Sequence, residues 1–319
     1  MKSLQRLSNC WTTLLLSSDL KITVTWFFNC LGVAVQTLEV EYKKTEALGA
    51  PVATDGPTLI EGPCTLTRDG KVFAVVDYPQ RGVSSLEKAL LSIKMNDGHR
   101  TNGLHTVTKA FGYSPRNVIR GDWCRVFGLY NENRAAHDEL IRWANVVTRL
   151  YEHWAPDKYR DHKADVQSRF DSHYLLSGGP FTSGNVNKNN ALAYHYDKGN
   201  TKGAWSAMIV VKRGVSGGEL VFPDYRVRLS FRPGAVFLFN GQEHLHGVTR
   251  CVQTAPVSYR FSVVYYTSEQ VWKCLPPKEE LTRIQKARTE RERARQHVDI
   301  YAGAKPELTA LSKARNKGR

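Results

Sequence analysis

Six cysteines in 319 residues, none spaced as CxxC, are too few and too scattered for a zinc ribbon or a dense disulfide framework. Such dispersed thiols fit a reducing, intracellular setting, in the cytoplasm or a nucleus. Acidic residues are also scarce, with 30 Asp and Glu against 45 Lys and Arg, giving a formal charge of +15. The apolar stretch from Trp11 to Val35 is interrupted by Asp19 and Lys21, so no run of about 18 uncharged apolar residues exists and no membrane span is expected. Missing as well are internal repeats, a Gly-rich phosphate loop, a nucleophile elbow and an HExxH pair, which removes several common hydrolase chemistries.

What is present points to a folded, basic protein. With 41% hydrophobic and 10% aromatic residues the chain can bury a core, and disordered, collagen-like and coiled-coil classes are excluded. Residues 271–319 hold 13 Lys and Arg against 6 Asp and Glu, so about half of the surplus sits in the tail. A charge of this size favours a polyanionic partner, nucleic acid first. No stable protein partner is evident.

The pattern divides the chain into an extension over 1–45, a body over 46–275 and a basic helical tail over 276–319. Gly and Pro spacing gives loop over 46–70, a strand over 72–76, and a helix over 84–94 with Ser85 at its cap. Residues 96–122, rich in Gly, Asn, Arg and Pro, read as loop. Apolar positions Leu140, Trp143, Ala144, Val147, Leu150, Tyr151 and Trp154 recur at three- and four-residue steps, predicting a support helix over 135–154. From Phe181 short strand-like runs follow, at 181–186, 205–212, 219–222, 226–231, 235–239 and 259–267. Short strands after a helical first half predict an α+β chain with a β-sandwich or jelly-roll core at about 170–270, buttressed by N-terminal helices.

Within that core, His195 and Asp197 are two residues apart at a strand end, so their side chains share one face. A third donor is supplied by the segment Gly241–His246, which carries both His244 and His246, the latter 49 residues beyond Asp197. Two neutral imidazoles and one carboxylate suit Fe(II), leaving positions open for a bidentate co-substrate and O2. Arg260 follows His246 by 14 residues in an alternating strand, placed to pair bidentately with a carboxylate such as the distal one of 2-oxoglutarate, and Ser262 faces the same way.

The HxD pair, the distal His and the late Arg resemble the signature of Fe(II)/2-oxoglutarate-dependent dioxygenases. The wider segments Phe181-Thr182-Ser183, Val186-Asn187-Lys188-Asn189, His195 to Asn200, Gly217-Gly218-Glu219-Leu220, Arg232 to Val236 and Gly241 to Val248 resemble the TET/JBP group of nucleic-acid-modifying members, over roughly residues 111–267. That resemblance implies a double-stranded β-helix, cupin-like core and a metal held by His195, Asp197 and His246, with His244 either supporting the ligands from behind or on the substrate side. It implies Arg260, Ser262 and Asn187 on the co-substrate, and oxidation of a methyl group coupled to decarboxylation of 2-oxoglutarate to succinate. Halogenating relatives lack the carboxylate that Asp197 supplies, so hydroxylation is the expected outcome.

The implied substrate is a base of DNA, 5-methylcytosine, flipped into the pocket because its methyl is out of reach inside a duplex. Tyr266, on the face of Arg260 and Ser262, is the expected stacking residue, with Arg116 and Asn189 as further substrate contacts. Group members often follow the late aromatic with a His; Thr267 and Ser268 stand here instead. Thymine hydroxylation of the base J kind and an RNA base are the alternatives. More distant ones are a protein prolyl or lysyl hydroxylase and a nucleic-acid-binding relative without catalysis.

Overall fold

The computed structural model describes residues 10–11, 23–28, 34–99, 105–114 and 124–300, with side chains from 35 onward up to 294. Two sheets face each other across the core. The larger is twelve-stranded, and at its centre Lys71–Asp77, Val236–Phe239, Ser206–Arg213, Tyr259–Tyr266, Ser183–Lys188 and His105–Ser114 lie side by side in antiparallel order. The smaller has five strands in the order Leu192–His195, His246–Val248, Leu220–Phe222, Val227–Ser230, Thr58–Glu61. The expected α+β architecture with a jelly-roll core is what forms.

Strand alternation explains how one sheet serves two cores. In Val236–Phe239, Val236 and Leu238 face the helices while Phe237 and Phe239 face the smaller sheet. Ala207, Ile209, Val211, Phe261, Val263 and Tyr265 join the helix-side cluster, whereas Met208 and Val210 join the inter-sheet cluster. The inter-sheet face also carries Asn185, Asn187, Arg260, Ser262 and Tyr266, because these share register rows and parity. Polar residues on an otherwise apolar inner face mark where the site must be.

The support helix forms as Arg134–Trp154, capped by Asn133, whose side chain accepts from the Ala136 amide. Its buried stripe of Leu140, Trp143, Ala144, Val147 and Tyr151 covers the outer face of the larger sheet. Trp143 is fully buried and donates its indole N–H to Glu139, so its ring gains apolar burial without an orphaned donor.

Several local expectations change. The 46–70 loop contains strands Thr58–Glu61 and Cys64–Arg68, and the 96–122 loop contains Asn96–His99 and His105–Ser114. Two of those strands are held by partners distant in sequence, Thr58–Glu61 by Val227–Ser230 and His105–Ser114 by Ser183–Lys188, while Cys64–Arg68 pairs with Lys71–Asp77 and Asn96–His99 with His105–Ser114 across short connections. Strand Ala34–Glu39, inside the stretch read as an extension, runs parallel to Cys64–Arg68 and buries Val35 and Leu38. Ser85 does not cap its helix, Ser84–Ser92; Val83 stands at the cap and the Ser85 hydroxyl donates to Glu139. Cys124 and Cys274 are joined in a disulfide with Cα atoms 5.6 Å apart, a single bridge that the scattered spacing and the expected reducing setting do not announce. The tail helix is Pro277–Ile300. Among the described residues no helix is long and apolar enough to cross a membrane.

Candidate active site

His195 ends one strand of the smaller sheet and His246 begins its neighbour, and the two are direct cross-strand partners. Their rings lie 4.4 Å apart between centroids. Asp197, two residues past the strand end, donates its backbone N–H to the Gly241 carbonyl at 2.9 Å. That contact puts its carboxylate oxygen Oδ1 3.7 Å from His195 Nε2 and 3.8 Å from His246 Nε2. Gly241 is required there, since a Cβ would stand 2.2 Å from Asp197 Oδ2.

The tautomers follow from hydrogen bonds. His195 Nδ1 is 2.8 Å from the Ala193 carbonyl and His246 Nδ1 is 2.9 Å from the His244 carbonyl. A carbonyl only accepts, so each Nδ1 carries a proton, and in the neutral form that a metal takes each ring presents its Nε2 lone pair inward. Burial holds the His246 imidazole below the ordinary His range, against the pull of Asp197. Two nitrogen lone pairs and a carboxylate within 4.8 Å of one another form a facial three-donor set, the chemistry that a divalent iron takes.

His244, the alternative to His246, is elsewhere. Its Nδ1 is 2.8 Å from the Tyr225 hydroxyl and its ring lies 4.5 Å from that of Phe73, and burial pushes it down to about 4. Of the two places open to it, His244 takes the wall behind the cluster and not the substrate side.

Arg260 is 2% exposed, and its Nε and Nη2 have no hydrogen-bond partner. No salt bridge reaches it among the described residues, and burial lowers its pKa, opposed only by Cys251. The fold makes room for it at Gly218, φ +66°, where a Cβ would come within 2.2 Å of Arg260 Cδ. A guanidinium left unanswered in this way is costly unless an anion arrives. Asn189, expected on the substrate, instead clamps Arg260: its Oδ1 accepts the Arg260 N–H at 2.6 Å, and its own N–H donates to the Arg260 carbonyl at 2.8 Å. Its φ of +55° is a left-handed conformation that Asn tolerates.

Beside the His-Asp-His cluster opens a cavity of about 620 Å³ lined by Asn185, Asn187, Tyr196, Asp197, Asn200 and Tyr266, with Ser268 and Gln270 at one end. Ser262 sits opposite Asn187 in register. Asn187 Oδ1 accepts from Asn185 Nδ2 at 3.2 Å and Asn190 Nδ2 at 3.4 Å, so its own amide nitrogen is the donor left for the cavity. Burial and the nearby Asp197 raise the Tyr266 phenol, which stays neutral. Tyr194 and Tyr265 pack in the core, the latter donating to the Leu140 carbonyl at 2.9 Å. Arg116 lies outside the described residues. Asn185 and Asn200 escaped the sequence reading, although Asn185 shares the parity of Asn187 and could have been found from it. Thr267 turns away, donating to the Pro180 carbonyl at 2.6 Å and receiving His162 Nε2 at 2.9 Å.

A jelly-roll core carrying this donor set and a buried arginine on the same inner face defines a 2-oxoglutarate/Fe(II)-dependent oxygenase. Residues 112–269 match the profile of the TET/JBP oxygenase domain of that superfamily. The domain over 112–269 is thus of the TET/JBP type. Among solved structures, NgTET1 in complex with 5mC DNA is similar at 15% identity, over 73% of this chain and 91% of that one, with a TM-score of 0.50. An oxidoreductase of the 2OG-Fe(II) oxygenase family from Burkholderia pseudomallei is 14% identical over 61% and 85%, TM-score 0.38. The viral collagen prolyl hydroxylase vCPH from Paramecium Bursaria Chlorella virus-1, in its 2OG complex, is 14% identical over 62% and 96%, TM-score 0.34. No curated protein matches the sequence.

Proposed function

We propose that the protein oxidises the methyl group of 5-methylcytosine in DNA to 5-hydroxymethylcytosine. The observation that carries the reading is the cavity itself, which abuts Asp197 and is walled by Tyr196, Tyr266 and amide side chains: flat aromatic surface and hydrogen-bonding edges are what an extracted base needs. The fold shared with NgTET1, whose structure contains 5mC DNA, and the +15 charge support the same substrate.

His195 Nε2, Asp197 and His246 Nε2 would hold Fe(II), which with 2-oxoglutarate and O2 supplies the oxidising chemistry. Arg260 binds the distal carboxylate of 2-oxoglutarate through donors that have no other partner. Ser262 and the amide nitrogen of Asn187 add hydrogen bonds from the same face. Tyr266 stacks on the base and keeps water from the methyl group. The Nδ1 bonds of His195 and His246 keep both rings oriented before anything binds.

The test is incubation with Fe(II), 2-oxoglutarate and duplex DNA carrying 5-methylcytosine, followed by mass spectrometry of the nucleosides. Hydroxymethylcytosine is the expected product, absent with Asp197→Ala. Intact 5-methylcytosine, with succinate and a hydroxylated thymine formed on unmethylated DNA, would overturn the cytosine reading in favour of thymine.

A further inference from the structure

We infer that Trp272 and Lys273 form a nucleic-acid contact at the rim of the substrate cavity. The indole stacks on a base next to the extracted nucleotide, and the ammonium meets the phosphate beside it. The inference rests on the DNA reading above and names a part of the binding surface.

The turn Glu269–Lys273 is a 3-10 helix directly after the cavity residue Ser268. Residues three apart eclipse in such a helix, so Gln270, which lines the cavity, shares its face with Lys273. Val271 takes the opposite direction and is 1% exposed, packed with Cys124, Val166, Phe170 and Tyr174. Trp272 is left between them with 44% of its surface exposed, and the Lys273 ammonium lies 5.7 Å from its ring centre.

The turn is held at its first residue and on both flanks. Glu269 N–H donates to the Gly199 carbonyl at 2.8 Å, which ties it to the loop following Asp197. Arg169 pairs with the Glu269 carboxylate at 3.0 Å. Asn200 and Ser268 form a bridge, and Cys274 is fixed by its disulfide to Cys124. An exposed aromatic carried on a backbone that is already held needs no further ordering of that backbone when it meets a flat partner, which lowers the entropic cost of binding. Exposed Lys198 and Lys202 stand on the strapped loop and its continuation. Acidic groups stand nearby as well, with Glu269 and Asp165 both paired to Arg169 and Asp161 beside Lys202. The exposed Lys198, Lys202 and Lys273 are thus the groups left for phosphate, and a base-stacking aromatic next to them fits an unpaired or kinked stretch of nucleic acid.

The inference is tested with Trp272→Ala, Trp272→Phe and Lys273→Gln in the full chain, loaded with Fe(II) and 2-oxoglutarate. KM for a 5-methylcytosine duplex and Kd for the same duplex by fluorescence anisotropy are measured across a salt series, with thermal melting as a control. Trp272→Ala is expected to raise KM and Kd roughly ten-fold and Trp272→Phe to restore most of the loss, as base–aromatic stacking predicts. Lys273→Gln should lower the slope of log Kd against log salt by about one ion. For all three, kcat at saturating DNA, KM for 2-oxoglutarate and the melting temperature should stay as in wild type. A wild-type enzyme that oxidises the duplex while both Trp272→Ala and Lys273→Gln match it in KM and Kd overturns this inference alone. A wild type that neither binds nor oxidises DNA overturns the substrate reading with it.

Discussion

Arg260 carries a full charge into a space with 2% exposure and leaves Nε and Nη2 unpaired. Removing a buried, uncompensated charge is commonly stabilising, so its two roles separate by sign. Arg260→Met is expected to stabilise the protein free of co-substrate, read as a higher midpoint in urea titration. It should raise KM for 2-oxoglutarate by roughly two orders of magnitude, the loss of a charged hydrogen-bonded pair. If both stability and co-substrate affinity fall, the guanidinium has a structural partner and the assignment to 2-oxoglutarate is wrong. At this scale much was readable from residue types and parity: His195 with Asp197, and Arg260 with Ser262, follow from two-residue alternation. His244 and His246 could not be separated in the same way. The strand begins only at His246, so His244 lies in the preceding turn, where alternation does not apply, and it turns to Tyr225 and Phe73.

Among the elements, the helix Arg134–Trp154 was legible because its apolar period depends on nothing beyond itself. The strand His105–Ser114 was not, because its stability lies in the pairing of Gly112 with Ser183 and Thr108 with Asn187, contacts that composition does not reveal. The helix does more than cover a sheet: the Leu140 carbonyl receives Tyr265, whose neighbours in the chain are Val264 and Tyr266 on the cavity side. Trp143→Ala, by emptying a fully buried indole site, should cost about 3–5 kcal/mol. Denaturant unfolding monitored by circular dichroism checks this, and a loss under about 1 kcal/mol would mean that the sheet holds without its helical support.

For the molecule as a whole, pH reaches the core through His162. Burial pushes its imidazole down to about 4 from an ordinary 6.5, with Asp165 raising and Arg169 lowering it. Tyr151 and Phe181 pack on the ring, Thr267 bonds it, and Lys158, Asp161 and Lys202 share its cavity. As pH falls below 6.5 the unfolded chain takes up a proton first, so stability present at neutral pH is lost progressively down to about pH 4. The loss amounts to roughly 3 kcal/mol at the acid end. Urea midpoints measured from pH 7 to pH 4 should decline less steeply in His162→Gln than in wild type; equal slopes would show that the proton uptake occurs elsewhere.

The bond between Cys124 and Cys274 spans 150 residues of sequence, and His195, Asp197, His246 and Arg260 all lie between its two ends. The strands that carry the candidate site therefore lie within a covalent ring, with the basic helix hanging from one side of the closure. A ring of that size denies the unfolded chain about 5 kcal/mol of conformational freedom in the chain-entropy account. A single peptide-bond cut anywhere within it leaves every one of those four residues attached to the same molecule.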